Sequence, residues 1–431
     1  MSFIYPEDLI PHIKMDWENY QKEYESTIKR LKIPAPSPTH LKEILDVLYH
    51  VSFLTEESRK ISVKSAYFEP NNCDIKNVLN GYEPPIEFDK PIQYSVTEVL
   101  RLSPAFNSEN TLLMICPKKC VESGCDSNDL VIWGILYLGN EYINLLNGRS
   151  DAAMAPPSIL TIGVSGPGNL TISTSGRILK RLTGGQLIKS SLSGINRGLV
   201  GASLYKSVLR NLSPTNYSEN NKFINRFWYL YFSTLSNIVR LTKEKFHGGA
   251  IIIVPDYLTT KDEPLSNLLS IKYSIKSTNV WASLTNETQA TLEYFDIWDK
   301  DNKTLMDYEQ EIQSKSTKMK FTKKRYEFEE FLASLTGIDG AVILNTKLEI
   351  LGFGAEITAS TPDIKSIKEA FDEDGKTNKE IPINSFGTRH RSAIRLCSNI
   401  DDAIAFVVSQ DGSVKAIKKE KNSLFLWKLL L

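Results

Sequence analysis

Cysteine is scarce in this chain, with five among 431 residues, and an odd, sparse set makes no disulfide framework. Such usage fits a reducing compartment, and a cytoplasmic location is expected. Three of the five, Cys116, Cys120 and Cys125, cluster in sequence. Their spacing matches no common zinc ribbon and no histidine or fourth cysteine stands nearby, so they read as buried or loop thiols. Net charge is also missing: 51 basic residues balance 51 acidic ones. No overall field therefore draws the chain to nucleic acid or to an anionic membrane, and any anion site must be local. No apolar run approaches the roughly 20 residues that cross a bilayer, and Met1 to Asp8 lacks the basic stretch followed by an apolar one that marks a leader. No membrane or nucleic-acid partner is expected, and no repeat of fixed period is apparent.

Core material is plentiful by contrast. The hydrophobic fraction of 41% and charged fraction of 24% are those of a globular chain, and its length calls for two or three domains. Leu41, Ile44, Leu45, Leu48 and Val51 fall at helical spacing. Ile159 to Val164 and Leu170 to Ser173 bracket Ser165-Gly166-Pro167-Gly168 and read as a hairpin. Phe223 to Phe246 reads as a long helix stopped at His247-Gly248-Gly249. The continuous apolar run Ala250 to Val254, ended by Pro255, then predicts a strand covered on both faces. Asp299 to Lys324 turns polar, which is poor core material, although Tyr308, Ile312 and similar residues recur so that the stretch also reads as partly helical. A boundary there divides the chain into residues 1–298, a charged linker at 299–325, and residues 326–431.

The last region opens with a short helix, Tyr326 to Leu335. It continues as a hairpin of Ile338 to Leu344 with Leu348 to Phe353, a helical face at Ile364, Ile367 and Phe371, and a loop from Phe386 to Ser392. Further strands are expected at Ile394 to Leu396, Ile404 to Ser409 and Val414 to Ile417, the last after an Asp411-Gly412 turn. The expected class is α/β, with a mixed sheet and helices on its faces at the C-terminus, preceded by a larger mixed α+β region.

Two segments carry chemistry. Gly387-Thr388-Arg389-His390-Arg391-Ser392 gathers two arginines and a histidine beside a glycine and two hydroxyls. Guanidinium offers forked donors to phosphate, each charge-assisted bond contributing roughly 1.5–3 kcal/mol. On local sequence alone the segment also reads as a solvated basic turn. Basic and acidic residues are equal in number from Lys323 to Leu431, so the cluster is a focus within a neutral region, which suits a small polyanion better than a nucleic-acid backbone. Asp339-Gly340-Ala341 sets a carboxylate before two small residues, permitting close approach of a metal and a phosphate. Alone it is a common turn.

In order, Asp339-Gly340-Ala341 and its strand, Gly387 to Ala393, Ile404 to Ser409 and Asp411-Gly412 closely resemble the diadenylate cyclase domain, over about residues 326–431. A second set resembles the sensor region called DACNV, which precedes such cyclase domains. It consists of Pro34 to Pro38 leading to Leu45 to Ser52, Glu56-Glu57-Ser58-Arg59, Gly166-Pro167-Gly168 and His247-Gly248-Gly249. The resemblance implies a sensor joined to a cyclase that makes cyclic di-AMP from two ATP molecules held by two domains meeting face to face in a homo-oligomer. It implies catalytic roles for Asp339, Gly340, Ala341, Arg389, His390 and Arg391, and substrate contacts from Gly387, Thr388, Ser392 and Ser409. Asp339 would hold Mg²⁺ or Mn²⁺, with Asp411 as a displaced second carboxylate, while Glu356 reads either as a compensating carboxylate or as a surface glutamate at a strand end. Three departures stand out. Ser409-Gln410-Asp411 replaces the usual Ser-Glu-Glu, Ser360 to Pro382 is an apparent insertion, and Gly352 to Glu356 replaces a Leu-Pro-Leu-Ser stretch. A non-catalytic module that senses ATP or a cyclic dinucleotide is the rival reading, and a purely structural α/β protein explains neither motif. His247 reads either as a ligand contact in the sensor or as a helix-terminal residue.

Overall fold

In a computed structural model, the stripe from Leu41 to Val51 is the buried face of a helix, Pro38–Val51. Ser37 caps it by accepting from the His40 amide at 3.1 Å, with Pro38 preset for the first turn. The structure describes residues 3–27, 33, 35–56, 59–71, 78–79, 82–106, 110–138, 157–164, 166–174, 177–183, 185–189, 195–245, 247–258, 263, 265–276, 278–359, 364–410 and 412–429. Pro34, Glu57, Ser58, Ser165, Ser360 and Asp411 of the motifs above lie outside them. Two units are present, residues 1–190 and 191–431.

In the first unit, helices α1 (Ile10–Thr27), α2 (Pro38–Val51) and α3 (Val96–Leu102) accompany an eight-stranded sheet. Its strands are β1 (Val63–Tyr67), β2 (Ile86–Gln93), β3 (Thr111–Pro117), β4 (Leu130–Tyr137), β5 (Leu160–Val164), β6 (Leu170–Thr174), β7 (Arg177–Thr183) and β8 (Gln186–Lys189), in spatial order β8-β7-β6-β5-β1-β3-β4-β2. Among these described strands the parallel pair is β1 with β3. The expected hairpin is β5–β6. Its turn takes φ of +140° at Gly166 and +65° at Gly168, and the Gly168 amide donates to Ser52 Oγ at 2.9 Å, tying the turn to the end of α2. Cys116 and Cys120 are buried free thiols. Burial, reinforced by the neighbouring Cys120, raises the Cys116 thiol well above its ordinary pKa.

The second unit is a nine-stranded mixed sheet with helices on both faces. In chain order it contains α4 (Gly198–Leu212), α5 (Asn221–Glu244), β9 (Gly249–Val254), β10 (Leu269–Ser274), α6 (Val280–Trp298), α7 (Leu305–Leu335), β11 (Ala341–Asn345), β12 (Ile350–Ile357), β13 (Ser366–Ala370), β14 (Asn378–Pro382), α8 (Thr388–Asn399), β15 (Ile404–Val408), β16 (Val414–Glu420) and β17 (Ser423–Leu429). The spatial order is β10-β12-β11-β9-β15-β16-β17-β13-β14. Every residue of β9 is buried, as its unbroken apolar run requires of a central strand. Ala250, Ile252 and Val254 share a core with Ala393, Ile394, Leu396 and Cys397 of α8. Gly249, on the other face, lies against Thr242 of α5 and Thr336.

Three expectations are corrected. The break expected at 299–325 is absent, because residues 305–335 form one helix, α7, and the unit already begins before α4. Its polar composition serves a helix hairpin. Thr304 and Asp307 form a capping box, and Arg325, buried against α6, bonds Glu287 at 2.9 Å and Glu329 at 2.7 Å. Burial opposes the charge on Arg325, but the two carboxylates outweigh it and hold the guanidinium above its ordinary pKa. Ile367 and its neighbours form strand β13 rather than a helix, since pairing with β17 and β14 fixes alternate residues inward. Phe386 to Leu396 is not a loop and a strand: from Thr388 it is α8, whose buried His390, Ala393, Ile394, Leu396 and Cys397 recur at helical spacing.

Candidate active site

Asp339 stands at the entrance to β11, and its next residue must be glycine. Gly340 has φ +114°, and a Cβ there would meet the carbonyl carbon of Gly354 at 2.5 Å and the amide of Ala355 at 2.7 Å. The chain thus passes directly over the neighbouring strand β12, bringing the Asp339 carboxylate to the sheet's rim. On the other side of β11, β9 starts at Gly249, and Gly248 before it has φ +68°. A Cβ at Gly248 would lie 2.9 Å from Arg389 Nη1, so this glycine leaves room for the arginine.

Arg389 sits in the first turn of α8. Gly387 is the N-cap and contributes no capping side chain; nothing lies within 4 Å of where its Cβ would be. The first amides of an uncapped helix have no internal partners and carry the positive end of the helix dipole, about half an elementary charge, which makes them an anion site. Here they open on a cleft of about 1070 Å³, ample beside the roughly 300–1,000 Å³ of ordinary small-molecule sites. Asp339, Gly340 and Ala341 line it together with Gly387, Thr388, Arg389, His390, Ser392 and Ser409. His390 is buried under Phe386, ring centroids 5.7 Å apart. Of the catalytic and substrate residues that the resemblance implies, Arg391 does not line the cleft and the others do; its amide closes the first helical turn onto the Gly387 carbonyl at 3.1 Å.

Residues 247–422 match the family described as DisA bacterial checkpoint controller nucleotide-binding (DAC), and residues 31–137 match the family described as probable sensor domain DACNV. The chain carries a DACNV domain followed by a DAC domain. No curated protein matches it.

The DAC match corrects the reading of His247-Gly248-Gly249. These residues belong to the nucleotide-binding domain rather than to the sensor, and they begin the strand beside Arg389. Gly166 to Gly168 lies in the first unit but beyond the DACNV match. The DAC cleft also contains residues that sequence reasoning missed, Ser270 and Lys272 on the edge strand β10, and it is lined by Gly354 on β12 and Gln410 after β15, which the sequence marked only as departures from the family pattern. The alternation of Leu269, Ile271 and Tyr273 with Ser270, Lys272 and Ser274 was a strand signal. Nothing local says which sheet that strand joins.

A divalent cation is the remaining partner to test against the DAC cleft. Among the described residues no group of three His, Cys, Asp or Glu stands ready to hold a metal. Asp339 and Glu356 nevertheless line the same cleft, and Glu356 pairs with Ser270 across β10–β12. One or two carboxylates with substrate phosphates and water are what Mg²⁺ ordinarily takes, so the donor set fits a metal that arrives with its nucleotide.

Proposed function

We propose that the DAC domain condenses two ATP molecules into cyclic di-AMP with release of two pyrophosphates, and that the DACNV domain sets the rate. The observation that carries this reading is the convergence, in one cleft, of the Asp339-Gly340-Ala341 turn and the uncapped α8 N-terminus bearing Arg389. The α8 amides, the Thr388 and Ser392 hydroxyls and the Arg389 guanidinium bind the triphosphate. Arg391 acts on the same turn from behind the lining. Asp339, with Glu356, would hold Mg²⁺ or Mn²⁺, and such an ion supplies charge neutralisation at the phosphates when bound. The chain's own residues then position the nucleotide so that the 3′-hydroxyl of each ATP faces the α-phosphate of the other. Two phosphodiester bonds form, two α–β anhydride bonds break and two protons pass to solvent. Positioning and charge neutralisation are the main catalytic resources of such transfers. One cleft holds one ATP in this scheme, so turnover needs a second copy of the domain facing the first.

Gln410 in place of a carboxylate favours a second reading, a DAC domain that binds nucleotide without joining it. Incubating the full chain with ATP and Mg²⁺ or Mn²⁺, with mass spectrometry of the products, separates the two. Cyclic di-AMP with pyrophosphate supports the first; ATP bound and recovered unchanged with either metal refutes it.

A further inference from the structure

Among the described residues two lysine or arginine side chains line the DAC cleft, Arg389 in the first turn of α8 and Lys272 on the edge strand β10. Arg389 adjoins β9 through Gly248, and β10 lies three strands away in the order β10-β12-β11-β9. The wall between is nearly bare backbone. A Cβ at Gly340 would meet the Gly354 carbonyl carbon at 2.5 Å, and a Cβ at Gly354 would lie 3.4 Å from Lys272 Cβ. Register agrees, because Ala355 pairs with Ile271 and Phe353 with Tyr273, which sets Gly354 opposite Lys272. Two strand spacings, about 10 Å, therefore separate the backbones of Gly340 and Lys272, and neither Gly340 nor Gly354 raises a side chain between the Asp339 carboxylate and the lysine.

Lys272 is exposed, with its ammonium 5.3 Å from the centroid of the Tyr273 ring. That contact is weak at an exposed site and leaves the charge unneutralised; among the described residues Lys272 forms no ion pair. The sign of the cleft turns on this lysine. Asp339 and Glu356 set two carboxylates against Arg389 in the lining, and the α8 dipole adds about half a positive charge. With His390 neutral, the sum before any metal binds is about −0.5 without Lys272 and about +0.5 with it. A polyanion is opposed in the first case and drawn in the second. Chemistry narrows the ligand further: an ammonium offers three donors and no acceptor, on a flexible stem. It suits phosphate oxygens, and the amino group of adenine gives it nothing to bond.

We propose that Lys272 is a second phosphate-binding residue of the DAC cleft, bonding the triphosphate of bound ATP from the side away from Arg389. When the nucleotide enters, the ammonium leaves the Tyr273 ring for phosphate oxygens. The proposal rests on the reading of the cleft as an ATP site, and it adds a cation that the resemblance to the cyclase family does not imply.

Calorimetric titration of the full-length protein with Mg²⁺ present tests it, with ATP and inorganic triphosphate as probes. Lys272→Met keeps the apolar stem and removes the charge. It should raise the dissociation constants of both probes about tenfold, the loss of one charge-assisted bond, while Lys272→Arg stays within about threefold of wild type. Lys276→Met removes an exposed lysine outside the cleft and should change neither constant by more than about twofold. Melting curves of all three variants should match wild type, because both lysines are exposed. An ATP constant within about twofold of wild type for Lys272→Met overturns the proposal. So does a loss confined to ATP, which would place the lysine on the nucleoside, or an equal loss in Lys276→Met, which would make the effect a general field. If Arg389→Ala still weakens ATP binding in that event, the reading of the cleft stands and the role of Lys272 alone falls; a wild-type chain that binds no ATP removes both.

Discussion

Gly340 offers the sharpest test of the cleft's construction, because its cost on substitution can be worked from geometry. An alanine there must keep φ near +114° and place its Cβ 2.5 Å from the Gly354 carbonyl carbon, 2.7 Å from the Ala355 nitrogen and 2.9 Å from the Ala355 oxygen. All three are backbone atoms of β12, so no side chain can rotate away. A non-glycine residue held in a sparsely populated backbone region costs about 1–3 kcal/mol, and inserting a methyl into packed surroundings costs about 1–3 kcal/mol more. The sum, about 2–6 kcal/mol, corresponds to about 4–24 °C in Tm for a unit of this size. Gly387→Ala is the control: φ is −66° and nothing lies within 4 Å, so its effect should stay within about 0.5 kcal/mol. Calorimetry of both full-length variants, tracking the transition of the second unit, makes the comparison. A Gly340→Ala protein that melts within about 2 °C of wild type would refute the close approach, and with it the means by which Asp339 is held at the sheet's rim.

Asp339→Asn should abolish cyclic di-AMP formation while the melting curve is retained, since the side chain is exposed at the cleft; wild-type turnover with metal present would remove Asp339 from the mechanism. Arg389→Ala should weaken ATP binding by about 1–3 kcal/mol, roughly five- to more than a hundredfold. Arg391→Ala should cost less because Arg391 does not line the cleft, and calorimetric titration giving the reverse order would contradict the placement. Arg325→Met should destabilise the second unit by about 3–5 kcal/mol by leaving Glu287 and Glu329 buried without their cation. Adding Glu287→Leu and Glu329→Leu should recover most of that loss; denaturant unfolding that shows no recovery would mean that the network does not act through buried charge.

Much of the second unit was legible because its signals are local. The apolar run of β9, the paired strands β11 and β12, and the β15–β16 hairpin each announce themselves within a few residues, since strand burial is written in short windows. The chemistry of the site was legible for the same reason: a carboxylate before two small residues and a doublet of arginines about a histidine are patterns of residue type. Where those patterns sit was not legible. Gly387 to Ser392 reads equally well as a basic loop, and only the burial of Ala393, Ile394 and Cys397 against β9 and β15 makes it the first turn of a helix without a side-chain cap. Polar residues 299–325 look like a linker until Glu287 and Glu329 are seen to enclose Arg325. His247 to Gly249 and Lys272 lie roughly 90 and 70 residues before the motifs they join, and parallel pairing of β9 with β11 and edge pairing of β10 with β12 are what bring them there. The sequence by itself determined which residue types could handle a triphosphate and which segments had to be buried, because both are properties of neighbours along the chain. Tertiary structure alone decided which of those residues share one cleft, because strand order depends on the packing energy of the whole sheet and no local window contains it.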